Sequence, residues 1–168
     1  MRNDILVPFV NETIAALESM ANLKGESDIL TYRDPLDVFI FKGFAVCIAA
    51  KTSSGISGKI VMNYDNQTAV AIGNRILTKM LGSFEGATEL NDMVRDALAE
   101  FSNTAVGLAT RHISEARHKI IFGAPVYLLN KEDCEFLLAG VKQIMTIPVD
   151  VKNIGRFYFS FLLQSNGE

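Results

Sequence analysis

A chain of 168 residues, 49% apolar and 21% charged, is long enough for one domain with a sizeable core and too apolar to be disordered. Its net charge of −3 and the lack of a basic patch argue against a nucleic-acid partner and leave little long-range field to steer an acidic substrate. No apolar run approaches a membrane span, and "MRNDILVPFVNETIAAL", broken by Asn3, Asp4, Asn11 and Glu12, does not read as a signal peptide, so a cytoplasmic protein without a membrane partner is expected.

In chain order, Pro8 opens a helical pattern. Phe9, Ile14, Leu17 and Met20 share a face, Glu12 and Thr13 sit near the start, and Gly25 is the expected stop. "KGESDILTYRDPLD" reads as a loop or irregular strand punctuated by Pro35. "VFIFKGFAVCIAA", from Val38 to Ala50, and "KIVMNYD" are strand-like runs joined by the turn cluster "TSSGISG", which predicts a hairpin with a longer loop. Asp65 or Asn66 caps the next helix, "NQTAVAIGNRILTKML", and Gly82 ends it. A third helix is expected from Leu90 to Arg111. Three strand-like runs follow: "HKIIFGAPVYLL", "CEFLLAGVKQIMTIPVDV" and "GRFYFSFLL". The last two are joined by the hairpin turn "KNIG". This order predicts an α+β fold with long α-helices packed on a mostly antiparallel β-sheet, as a single domain over 1–168.

The third helix carries the candidate site. At about 100° per residue, Asp96, Asn103 and Gly107 fall within about 60° of Glu100 on the helical wheel. Val94, Ala97, Leu98, Phe101, Ala105 and Leu108 occupy an arc on the other side, which is the expected core face. A solvated face is the ordinary explanation of such a stripe. Gly107 does not suit it, since glycine weakens a helix by about 1 kcal/mol relative to alanine. A glycine on the outer stripe points to another backbone coming close there. Asn103 is also a mediocre helix former, because its amide competes for local backbone bonds.

The stretch "LNDMVRDALAEFSNTAVG", with Pro125 downstream, resembles the active helix of the CheC/CheX/FliY family of chemotaxis phosphatases. The family motif runs Asp or Ser, three residues, Glu, two residues, Asn, and a Pro about two dozen positions later. Here it reads Asp96, Glu100, Asn103 and Pro125, with one intact copy, as in CheX. The N-terminal "PFVNETIAALESMAN" and the last hairpin are also similar to CheX. The resemblance implies a CheC/CheX-like fold and an enzyme that hydrolyses the phosphoaspartate of a CheY-like response regulator. Asn103 would orient the attacking water, and Glu100 would pair with the receiver's lysine and fix docking. Asp96 would bond partner groups or hold the helix face, Gly107 would admit the partner, and Pro125 would be structural. It implies no cofactor bound by this chain, with Mg2+ carried by the receiver, and a homodimer formed through the sheet. The alternative is a non-catalytic module binding a phosphorylated receiver or a flagellar switch component.

Other features read as structural. Cys47 and Cys134 form no C-x-x-C pair and fit buried, reduced thiols. His112 and His118 lack a third ligand, so no metal site is expected, and His112 suits a helix C-terminus. "SSGISGK" lacks the Ser or Thr of a phosphate-binding loop. Met20, Met62, Met80 and Met93 read as core filler, and Arg95, Arg111 and Arg117 as surface arginines. A faint internal echo pairs "ALESMAN" with "ALAEFSN". Ser19 stands where the second copy has Glu100, so any first site is degraded.

Overall fold

The computed structural model describes residues 3–27, 39–53, 55, 57–115 and 119–164. In chain order the elements are α1 (Asn3–Ala21), β1 (Gly25–Glu26), β2 (Gly43–Thr52), β3 (Ser57–Asp65), α2 (Asn66–Leu81) and α3 (Asp92–Glu115). Then come β4 (Ile120–Phe122), β5 (Val126–Leu128), α4 (Lys131–Leu138), β6 (Val141–Val151) and β7 (Gly155–Gln164). The strands form one antiparallel sheet in the order β1-β6-β7-β3-β2-β4, with β5 also on β2. The expected α+β class holds.

That strand order is symmetric about the β7–β3 pair. Each half is built alike: a helix, a short strand, then a long hairpin. α1-β1-β2-β3 matches α3-β4-β6-β7, and each short strand crosses to pair with the other half's hairpin. The faint sequence echo therefore has an architectural basis. α1, α2 and α3 pack on one another and on one sheet face, around Phe9, Leu17, Phe44, Tyr64, Ile72, Leu98, Phe101, Phe157 and Phe159. α4 covers part of the opposite face, where Cys134 and Leu137 join Cys47, Val61, Leu128, Ile144 and Leu162. Both cysteines are buried and free, as read from the sequence.

Several boundaries differ from expectation. α1 begins at Asn3 rather than Pro8, which lies inside it. The apolar face already reaches Leu6, which is buried. The stop is Asn22 rather than Gly25. Asn22 takes φ 52°, and the amide of Leu23 donates to the carbonyl of Leu17 at 3.2 Å, closing the last turn. Gly25 instead lets β1 approach α1, because a Cβ there would lie 2.8 Å from Leu17 Cδ1. β2 begins at Gly43 rather than Val38, and most of "KGESDILTYRDPLD" lies outside the described residues.

The run "HKIIFGAPVYLL" is two short strands rather than one. It breaks at Gly123–Pro125, where proline offers no ladder donor. The larger correction is "CEFLLAG", which is mostly helical. The side chain of Asn130 accepts from the amide of Asp133 at 2.8 Å, and Asp133 accepts from the amide of Leu129 at 2.8 Å, so the first turn of α4 is capped from both ends. Met62 is buried as expected, whereas Met80 and Met93 are exposed. Leu108 is only half-buried, and Val106 and Ala109 take the core positions beside it.

The packing of α2 on α3 rests on Gly73, where a Cβ would meet Val94 Cγ1 at 2.7 Å and the Val94 carbonyl oxygen at 3.4 Å. Gly73→Val should therefore destabilise the protein by about 1–3 kcal/mol through overpacking. A lowered urea midpoint with an unchanged slope would show it.

Candidate functional site

α3 is 24 residues long and presents two unlike faces. Val94, Ala97, Leu98, Phe101, Ala105, Val106 and Ala109 are buried. Phe101 stands edge-on to Phe157 on β7, with ring centroids 6.4 Å apart. Ser102 is buried as well, and its hydroxyl bonds back to the carbonyl of Leu98 at 2.7 Å. The helix cannot roll without exposing these groups. Its outward stripe is thus set by the core.

The structure brings the predicted site residues onto that stripe. Asp96 and Glu100 are exposed, and Asn103 and Gly107 are half-buried. Gly107 has no tight neighbour among the described residues. A Cβ there would only touch Phe122 Cζ at 3.7 Å, so internal packing does not require glycine. Pro125 lies half-buried in the break between β4 and β5, on the strand pair that flanks α3.

Tyr127 is the group sequence reasoning missed. Its hydroxyl donates to Asp96 Oδ1, joining β5 to α3 one turn before Glu100. Its only sequence signal is its place two residues after Pro125. The ring is half-buried beside Phe44, with centroids 6.1 Å apart. Loss of hydration, then the hydrogen bond and charge of Asp96, push the phenol up to about 12. Arg95 Nη1 reaches Asp92 Oδ1 at 3.3 Å nearby, while Arg95 Nε is buried without a partner among the described residues. At the other end of α3, His112 Nε2 meets Glu12 Oε1 of α1 at 2.9 Å, a side-chain contact rather than a dipole contact alone. His118 and Arg117 lie outside the described residues.

The echo in α1 does not reproduce the stripe. Asn22, aligned with Asn103, sits past the helix end with positive φ, and its side-chain oxygen accepts from Lys79 Nζ at 2.7 Å. Ser19, in the place of Glu100, bonds back to the carbonyl of Ala16 at 3.3 Å.

Residues 46–150 match the family model described as chemotaxis phosphatase CheX. The chain belongs to the CheX family. The matched segment contains Asp96, Glu100, Asn103, Gly107 and Pro125. Among curated proteins, none matches the chain by sequence. Among solved structures, CheX from Desulfovibrio desulfuricans superimposes with a TM-score of 0.74 at 20% identity, covering 95% of this chain and 99% of that one. CheX from Vibrio vulnificus gives 0.71 at 18% identity, covering 95% and 96%. A CheX-CheY-BeF3-Mg2+ complex from Borrelia burgdorferi gives 0.66 at 16% identity, covering 98% and 100%. At these identities the likeness is one of CheX fold. Among the described residues, no helix is long and apolar enough to cross a membrane.

The raised Tyr127 phenol has a consequence at high pH. A folded-state value near 12 against an unfolded 10.0 means the unfolded chain loses this proton first. The stability contributed is present in full below about pH 10 and is lost as pH rises toward about 12. Burial raises the Tyr64 phenol as well, so ultraviolet titration should show one fewer late-ionising phenol in Tyr127→Phe than in the parent, with a correspondingly shallower alkaline loss of stability.

Proposed function

We propose that this CheX-family protein hydrolyses the phosphoaspartate of a CheY-like response regulator in chemotaxis or two-component signalling. The observation that carries the reading is Glu100 and Asn103 on the outward stripe of a helix whose other face is locked in the core. The Borrelia relative captured with CheY, BeF3 and Mg2+ supports the class of partner.

In this reading the receiver brings the phosphoryl group, Mg2+ and a lysine, and the phosphatase brings geometry. Water attacks phosphorus as the bond to the aspartyl oxygen breaks, giving aspartate and inorganic phosphate. Such transfer depends chiefly on positioning and charge stabilisation. The Asn103 amide both donates and accepts, so it holds a water in line. It is too weak a base to take the proton, which leaves with phosphate and solvent. Glu100, one turn earlier and exposed, pairs with the receiver's lysine and sets the approach of α3. At Gly107, where a Cβ would meet only Phe122 Cζ at 3.7 Å among the described residues, the missing side chain lets the partner's surface come close. The open strands β4 and β5, with Ile121 and Val126 exposed, support a homodimer through the sheet.

The test is phosphate release from a phosphorylated receiver in Mg2+. Asn103→Ala should lower the catalysed rate by about a hundredfold or more while leaving receiver binding intact. Glu100→Ala should weaken binding to a beryllofluoride-activated receiver by about ten- to a hundredfold, the loss expected of a charge-assisted contact. Undiminished release by Asn103→Ala would overturn the water-positioning role. Tight binding by the parent with no release would make the protein a binding module. A monomer by light scattering at working concentration would remove the dimer.

A further inference from the structure

The Tyr127–Asp96 bond closes a circuit. Starting from α3, Phe101 contacts Phe157 on β7 at 6.4 Å between centroids, and Phe157 stacks on Tyr64 of β3 at 4.9 Å. Tyr64 lies 6.2 Å from Phe44 on β2, and Phe44 lies 6.1 Å from Tyr127 on β5. The hydroxyl of Tyr127 then returns to Asp96 on α3. A row of rings thus crosses the sheet beneath the helix and ends on its outward face.

The strand edge follows the site. Phe122, the last residue of β4, lies beside Gly107, and Tyr127 is bound to Asp96. From Asp96 to Gly107 the helix rises about 16 Å. From Phe122 to Tyr127 an extended chain covers about the same distance. The edge therefore runs antiparallel to α3, touching it at both ends of the segment that holds Glu100 and Asn103. Between those contacts lies Gly123–Pro125, which is not strand. β5 itself is three residues long and pairs with β2 among the described residues, and the bond to Asp96 ties it to the helix as well.

We propose that Tyr127 is a positioning residue for the phosphatase site: its hydrogen bond to Asp96 fixes the Glu100–Asn103 stripe of α3 against the β4–β5 edge, so that Asp96 serves the fold of the site and not the partner. This rests on the phosphatase reading for its effect on rate, while the tie itself stands on geometry. Because the phenol ionises far above neutrality, the donor is present throughout the physiological range.

The experiment compares Tyr127→Phe, Asp96→Ala, Asp96→Asn and the Tyr127→Phe/Asp96→Ala double variant. Phosphate release and binding to a beryllofluoride-activated receiver are both measured. Tyr127→Phe and Asp96→Ala should each lower kcat by about ten- to a hundredfold, the effect of a small misplacement, with receiver affinity unchanged. The double variant should be no slower than either single one. Asp96→Asn, which keeps an acceptor oxygen for the phenol, should retain most of the rate. An unchanged kcat in Tyr127→Phe would overturn the proposal. So would Asp96→Ala and Asp96→Asn weakening receiver binding alike, since that would put Asp96 on the partner. If the parent releases no phosphate from any receiver, the phosphatase reading fails by itself. Hydrogen exchange then decides the tie: faster exchange of the α3 amides from Asp96 to Asn103 in Tyr127→Phe upholds it, and unchanged exchange overturns it.

Discussion

Phe101 enters the core edge-on to Phe157, whose ring stacks on Tyr64, and this contact joins α3 to the two central strands of the sheet. All three rings are buried, so turning the helix would expose one of the largest side chains in the molecule. Burying an aromatic side chain of this kind contributes about 1.5–3 kcal/mol. Ser102 and Leu98 sit on the same side, and Gly73 lets α2 close over Val94. The direction in which Glu100 and Asn103 point is thus decided by what lies behind them. Enzymes that act mainly by positioning need such support, because a rigid scaffold holds a small constellation better than a loop does.

The near two-fold plan of the fold shows how its two halves diverged around one outward stripe. α1 and α3 occupy matching places in the two halves, and their sequences still echo. Yet α1 stops at Ala21, and Asn22 turns away with positive φ into the reach of Lys79. α3 runs on for twelve residues beyond Asn103, so that asparagine sits in mid-helix with its backbone paired. An amide in mid-helix holds a fixed direction, whereas one at a helix end serves as the cap. The same residue type stands on an outward helix stripe in one half and terminates the helix in the other.

Much of this plan is legible in the linear chain. The apolar period of α3, the cap at Asp65, the glycine after α2 and the β2–β3 hairpin all follow local rules, and the structure agrees. The misreadings have local causes too. "CEFLL" is apolar enough for a strand, but the capping of Asn130 and Asp133 on neighbouring amides outweighs that pattern. Residue type alone suggests a core place for Met80 and Met93, while the helix faces that carry them point to solvent. Glycine is the usual terminator, but an asparagine tolerates the left-handed turn that ends α1, and Gly25 serves close contact with Leu17.

The sequence by itself determined the class of fold, the stripe of Asp96, Glu100, Asn103 and Gly107, and the family to which the chain belongs. Periodicity and motif spacing are properties of one segment, and the linear chain carries them in full. Only the tertiary structure decided what stands beside that stripe. Tyr127 and Asp96 are separated by 31 positions, and nothing in either segment announces the bond. It exists because β5 pairs with β2 in a register that sets Tyr127 opposite Val46, and because the core then places α3 over that edge. Strand pairing and helix packing are long-range events, and they give Asp96, a member of a sequence pattern, a partner on the neighbouring strand.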